Sequence, residues 1–169
     1  YLEHSECHIV AVTDLNFDRA QEIARQYHCQ ADISAEALLD RPEIDAVSVC
    51  VANADHAAVT IGALKAGKHV LCEKPMAVTL EECQKMVDTA EKFDRILVIG
   101  HNQRLLKTHQ LVRRLIASGE IGKVLMWHSC FCHGGPENWS IDKRNIWFFD
   151  QKRSAYGALF DLGIHKIDL

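Results

Sequence analysis

Lys68-His69-Val70-Leu71-Cys72-Glu73-Lys74-Pro75-Met76-Ala77-Val78-Thr79 is the stretch on which the fold of this chain turns. An apolar run, Val70 to Cys72, ends on a glutamate, a lysine and a proline and then passes into a helix. A run this short and this apolar reads as a buried strand of a parallel sheet. Such sheets keep their ligands outside the carboxyl ends of the strands, so Lys74 places a cation where a ligand is met.

Working outward, Thr79 and Glu82 form a capping box, and Leu80, Cys83, Met86, Val87 and Ala90 mark the buried face of the helix that follows. Ile96 to Gly100 is the next strand, ending at His101-Asn102-Gln103-Arg104. In the other direction, Ala46 to Val51 is a strand that stops at Ala52-Asn53-Ala54-Asp55-His56, and residues 57–66 form a helix closed by Gly67. Ser34 caps a short helix reaching Leu39. Before it, His8 to Thr13 reads as an interior parallel strand ending on Asp14, followed by a helix over Asp18 to His28. Strand and helix alternate at a pace that requires a parallel sheet with helical crossovers, which makes the fold class α/β. Successive strand ends then bring Asn53, Lys74 and Asn102 to one edge.

After a helix over Leu105 to Ser118 the rhythm changes. Lys123 to His133 reads as a strand opening a second, mainly antiparallel sheet, and Gly134 to Ser154 as a long loop. In the final segment, Ala155 to Asp168, helical spacing puts Asp161 and His165 one turn apart. This pair is either an oriented acid–base couple or a structural carboxylate–histidine contact. Likewise Asp14 either caps a turn or accepts from ribose hydroxyls, and His56 either caps its helix or meets a dinucleotide at the corner. The change of rhythm divides the chain near residue 120, into a parallel-sheet domain over residues 1–120 and the beginning of a second domain over 121–169.

Composition limits the function classes. The chain has 169 residues, 48% of them hydrophobic, and a net charge of -4, which gives no basic face for nucleic acid. No apolar run approaches the roughly 20 residues of a membrane span. Seven cysteines, with Cys50 and Cys72 inside strand-like runs, read as reduced and buried thiols of a cytoplasmic protein. Cys130 and Cys132 share a face, but no further ligands stand at zinc-site spacing, so no metal is expected.

Together, Val12-Thr13-Asp14, Ala52-Asn53-Ala54-Asp55-His56, the 66–75 block with its Glu-Lys-Pro, Gly100-His101-Asn102, 118–122 and Asp161-Leu162-Gly163-Ile164-His165 resemble the Gfo/Idh/MocA oxidoreductase family. The resemblance implies that residues 1–120 are a dinucleotide-binding domain with a Rossmann-type doubly wound sheet and that 121–169 begin an α/β C-terminal substrate and oligomerisation domain with an open sheet. It implies hydride transfer between a nicotinamide cofactor, NAD in preference to NADP because of Asp14, and a hydroxyl or carbonyl carbon of a sugar, cyclitol or related polyol. Lys74, Asp161 and His165 would be catalytic. Asp14, Ala52, Asn53, His56, Glu73, Lys74, Asn102 and Trp147 would line the cofactor. A homo-oligomer, dimer or tetramer, is expected of the full-length protein, with neither nucleic-acid nor membrane partners. The alternative is a catalytically silent dinucleotide-binding regulator of the same fold. A third use of bound NAD, as transient oxidant for elimination or glycoside cleavage, fits the same residues.

Two departures stand out. Ala155 and Tyr156 precede Gly157 where the family commonly has a run of glycines, and no G-x-G-x-x-G occurs in the sequence. The glycine-rich turn and its strand are expected upstream of Tyr1, which would make these residues part of a longer protein.

Overall fold

The computed structural model describes residues 1, 3–138, 140 and 146–169. Its centre is a parallel sheet of three strands in the order β3 (Ala46–Val49), β4 (His69–Cys72) and β5 (Leu97–Ile99). Val47 stands opposite Val70, and Val70 opposite Leu97. β4 is thus flanked on both edges, which explains its unbroken apolar run: Val70 is 2% exposed and Cys72 is fully buried.

Two helices return the chain between these strands, α3 (His56–Lys65) and α4 (Leu80–Lys92). They pack against each other and the sheet through Ala63, Leu64 and Met86, all fully buried. The capping box forms as the sequence requires: Thr79 Oγ1 accepts from the Glu82 N–H at 3.1 Å, and Glu82 Oε2 accepts from the Thr79 N–H at 3.2 Å. Gly67, at φ 79°, supplies the left-handed residue that turns α3 into β4.

β1 (Ala11–Val12) and β2 (Gln30–Ala31) form a separate parallel pair joined by α1 (Phe17–Tyr27). β1 was expected as an interior strand; among the described residues it pairs with β2 alone. β2 carries no apolar signal and is not predicted by the sequence. Arg41 holds it in place, pairing with Asp32 through Nε at 2.7 Å and Nη2 at 2.8 Å and donating to Gln30 Oε1 at 2.5 Å. Lys68, just ahead of β4, donates to the Arg41 carbonyl at 2.6 Å, and so ties the two sheets together. The two blocks have the connectivity of the two wings, 3-2 and 4-5-6, of a doubly wound sheet. α2 (Ala35–Leu39) lies between them in sequence and is capped by Ser34.

Past β5 come α5 (Lys107–Ala117) and then the largest departures from expectation. Residues 123–133 are irregular, and no strand follows β5 among the described residues. A strand needs a ladder partner, and none of the described residues pairs with this run, so Leu125 and Met126 stand 88% and 82% exposed. The expected antiparallel sheet is therefore not observed there. Of the loop expected over Gly134 to Ser154, residues 139 and 141–145 lie outside the described residues. The rest holds short turns at Pro136–Asn138 and Trp147–Phe149 and a one-turn helix, α6 (Gln151–Ser154). The final helix has a wide π segment, Leu159–Gly163, leading into α7 (Ile164–Ile167). The thiols also differ from expectation: Cys72 is buried, but Cys50 is exposed just past β3.

Candidate active site

Because β3, β4 and β5 run parallel, their carboxyl ends share one edge. β4 delivers Glu73, Lys74 and Pro75 there, with a cis Lys74-Pro75 bond. The Lys74 side chain crosses to the π segment, where Nζ donates to Asp161 Oδ1 at 2.5 Å and to the Asp161 carbonyl at 2.8 Å. Both side chains are mostly shielded, at 16% and 20% exposure. A charge-assisted bond of this kind is among the stronger polar contacts a protein makes.

His165 sits at the start of α7, 8% exposed. Burial pushes its imidazole below the ordinary histidine value, the Lys74 charge adds to that, and Asp161 opposes it. The ring is therefore neutral at pH 7 and able to accept a proton. Its Nδ1 is buried without a hydrogen-bond partner among the described residues. Sequence spacing suggested an Asp161–His165 couple. The structure instead gives the Asp161 carboxylate to Lys74 and leaves His165 coupled to both by charge.

The remaining expected residues divide. Asp14 lies just past β1 and accepts from the Asn16 N–H at 2.8 Å, with Arg19 at 3.8 Å, so it does cap the turn into α1. Ala52 is buried at the end of β3. Asn53 is buried too and donates from Nδ2 to the Ser154 carbonyl at 2.9 Å, anchoring α6 to the strand-end corner. His56, 1% exposed, has Nδ1 at 2.6 Å from the Pro75 carbonyl and Nε2 at 3.1 Å from the Val51 carbonyl. Both ring nitrogens of His56 thus face backbone, so it shapes this edge through Pro75. Asn102 is exposed at the start of a short turn after β5. Trp147 stacks on Phe148, ring centroids 3.9 Å apart.

Several contacts of the site were not legible in the sequence. Gly100 lies against the Glu73 carboxylate: a Cβ there would stand 3.2 Å from Oε1, so a larger residue would push the carboxylate aside by a few tenths of an ångström. Arg104 forms a two-pronged ion pair with Asp168, Nε to Oδ2 at 2.6 Å and Nη2 to Oδ1. The guanidinium holds the Asp168 carboxyl below the usual carboxylate range. Lys166 donates to Gln103 Oε1 at 2.7 Å. These contacts fasten α7 to the turn after β5, and their partners lie 64 and 63 residues apart, beyond any local pattern. Among the described residues no group of three or more His, Cys, Asp or Glu side chains converges as a metal site. No described helix is long and apolar enough to cross a membrane.

D-glucoside 3-dehydrogenase of Escherichia coli K12 is 31% identical to this chain over 170 residues, which cover 99% of the chain and 47% of that protein. Inositol 2-dehydrogenase of Pseudomonas savastanoi pv. phaseolicola is 36% identical over 140 residues, 79% of this chain and 41% of that protein. The solved structure of a levoglucosan dehydrogenase with NADH and levoglucosan matches with a TM-score of 0.78 at 28% identity, over 94% of this chain and 42% of that one. The chain thus spans less than half the length of these relatives. The family model described as an oxidoreductase family with an NAD-binding Rossmann fold matches residues 1–101, and one for a GFO/IDH/MocA C-terminal domain matches residues 109–169. With more than half of its length inside the first of these models and the parallel strand-end site described above, the chain belongs to the Gfo/Idh/MocA oxidoreductase family.

Proposed function

We propose that the full-length protein is an NAD-dependent oxidoreductase that moves hydride between the nicotinamide and a secondary hydroxyl carbon of a sugar, cyclitol or related polyol. The observation that carries this reading is the Lys74 ammonium held at 2.5 Å on Asp161 beside a buried, neutral His165. Removing hydride from an alcohol yields a carbonyl only if the hydroxyl proton leaves as well. His165 takes that proton, and the fixed Lys74 charge stabilises the alkoxide character that develops. Asp161, with one oxygen on Lys74, offers its other oxygen to a second substrate hydroxyl.

The strand-end residues fit a dinucleotide by their chemistry. Asp14 keeps acceptor capacity for ribose hydroxyls beyond its bond to Asn16 and opposes the extra phosphate of NADP. Ala52 is small enough for close approach, Asn53, Glu73 and Asn102 supply polar edges, and Trp147 offers a flat apolar face. When bound, the cofactor supplies the hydride acceptor or donor that no side chain can be.

The test is turnover of a panel of sugars and cyclitols by the full-length protein with NAD, followed by NADH absorbance. Activity on a polyol is expected, and Lys74→Ala should lower kcat about a hundred- to a thousandfold. Tight NADH binding with no turnover of any panel member would overturn this reading in favour of a dinucleotide-binding regulator.

A further inference from the structure

Away from Lys74, Asp161 and His165, two nucleophilic side chains stand together. Cys130 and Cys132 are both exposed, and their Sγ atoms lie 3.3 Å apart in a thiol–thiol hydrogen bond. The residue between them is Phe131. Its ring meets the His165 imidazole edge-on, with centroids 5.7 Å apart at 67°, and the Lys166 ammonium lies 5.1 Å from the centre of the same ring. The two thiols therefore flank the side chain that covers the buried imidazole.

We propose that Cys130 and Cys132 form a dithiol site that low-molecular-weight disulfides of the glutathione class close to an intramolecular disulfide, and that closure draws Phe131 off His165. The Cys130 thiolate attacks one sulfur of the small disulfide and releases one thiolate. Cys132 then gives up its proton, attacks the Cys130 sulfur and releases the second. Two protein thiols are oxidised, one small disulfide is reduced to two thiols, and the protons pass to those thiols. Cys132 holds its proton longer, because its hydrogen bond to Cys130 and the charge of a neighbouring thiolate push its value up. That orders the two steps.

The geometry links this chemistry to His165. A disulfide bond is about 2.05 Å long, so the sulfurs must close by more than 1 Å from their present separation. Phe131 is the one residue between the two cysteines, so whatever part of the closure the cysteine side-chain torsions do not absorb falls on its backbone. Its ring contact with His165 is edge-on and its contact with Lys166 is a single cation–π approach, both weak enough to yield. A consequence for turnover rests on the reading of His165 as proton carrier; the thiol chemistry and the movement of the ring do not.

The experiment treats the full-length protein with oxidised glutathione and reads two quantities independent of activity. The first is the tryptic peptide of residues 124–143, which contains both thiols. It should become two hydrogens lighter and lose both free thiols, whereas Cys132→Ser should stop at a glutathione adduct on Cys130. The second is the imidazole proton resonance of His165, assigned by its loss in His165→Gln. It should shift on oxidation, return on reduction, and sit near the oxidised position in reduced Phe131→Leu. Unreacted thiols, or adducts that never close to a disulfide, would overturn the site. A disulfide that leaves the His165 resonance unmoved would overturn the link to Phe131. Neither result depends on whether a polyol is turned over.

Discussion

His165 is held neutral by its surroundings, and each neighbour contributes in a direction that can be checked. Burial and the Lys74 charge lower its value below the ordinary 6.5, while Asp161 raises it. Titration by proton NMR should place the wild-type imidazole below 6.5. Lys74→Met should move it up by removing a like charge, and Asp161→Asn should move it down by removing the opposing carboxylate. If His165 is the base for alcohol oxidation, kcat/KM falls on the acid side with an apparent pKa below 6.5, as the imidazole becomes protonated. At this scale the sequence disclosed the chemistry of the residues better than their partners. A lysine at a strand end and a histidine on a helix were visible from spacing. That Asp161 bonds Lys74 was not, because the two lie 87 residues apart and helical spacing offered a local alternative. Gly100 was legible only as a strand end, since its closeness to Glu73 arises from the pairing of β4 with β5.

Among the elements, α4 is the most completely specified by its own sequence. Its capping box was readable and forms as expected; of the expected buried stripe Met86 and Ala90 are buried and Cys83 is half-buried, whereas Leu80 at the first turn and Val87 are exposed at 78% and 39%, a stripe narrower than the apolar residues suggested. Met86 is fully buried between α4, α3 and the sheet, so Met86→Ala should cost about 2–5 kcal/mol in a denaturant titration. Thr79→Ala, which removes one half of the capping box, should cost about 0.5–2 kcal/mol by the same measurement. The elements that were not legible share a physical cause. β2 is two residues long with a polar member, and it is held by Arg41 rather than by apolar burial. Residues 123–133 have the composition of a strand, but strand formation depends on a partner, and composition cannot supply one.

At the scale of the whole molecule, the strand-end edge and the last helix meet through Lys74–Asp161, Arg104–Asp168 and Gln103–Lys166. The Arg104–Asp168 member makes this contact sensitive to acid. Asp168 has a lowered folded-state value, so its contribution is fully present above the ordinary carboxylate value near 3.8 and is lost as pH falls through the lower, folded value. The thermal midpoint of wild type should therefore fall faster than that of Asp168→Asn as pH is lowered through this window. Equal slopes for the two proteins would rule out the pair as the acid-sensitive contact.

Those three contacts join residues 87, 64 and 63 positions apart, whereas β3 and β4 pair across 23 positions (Ala46 with His69) and β4 and β5 across 27 (Val70 with Leu97). Ordering so long a stretch of chain costs entropy before any of the three contacts repays it, so they close late on the folding path. The sheet and its two helices can assemble first as a scaffold with an unfinished edge. Substitutions in the latch should then speed unfolding while leaving the folding rate nearly unchanged, the reverse of what Met86→Ala would do if α4 belongs to the nucleus. Stopped-flow measurement of both rates distinguishes the two patterns. The residues proposed for catalysis are, on this view, the last part of the chain to find one another.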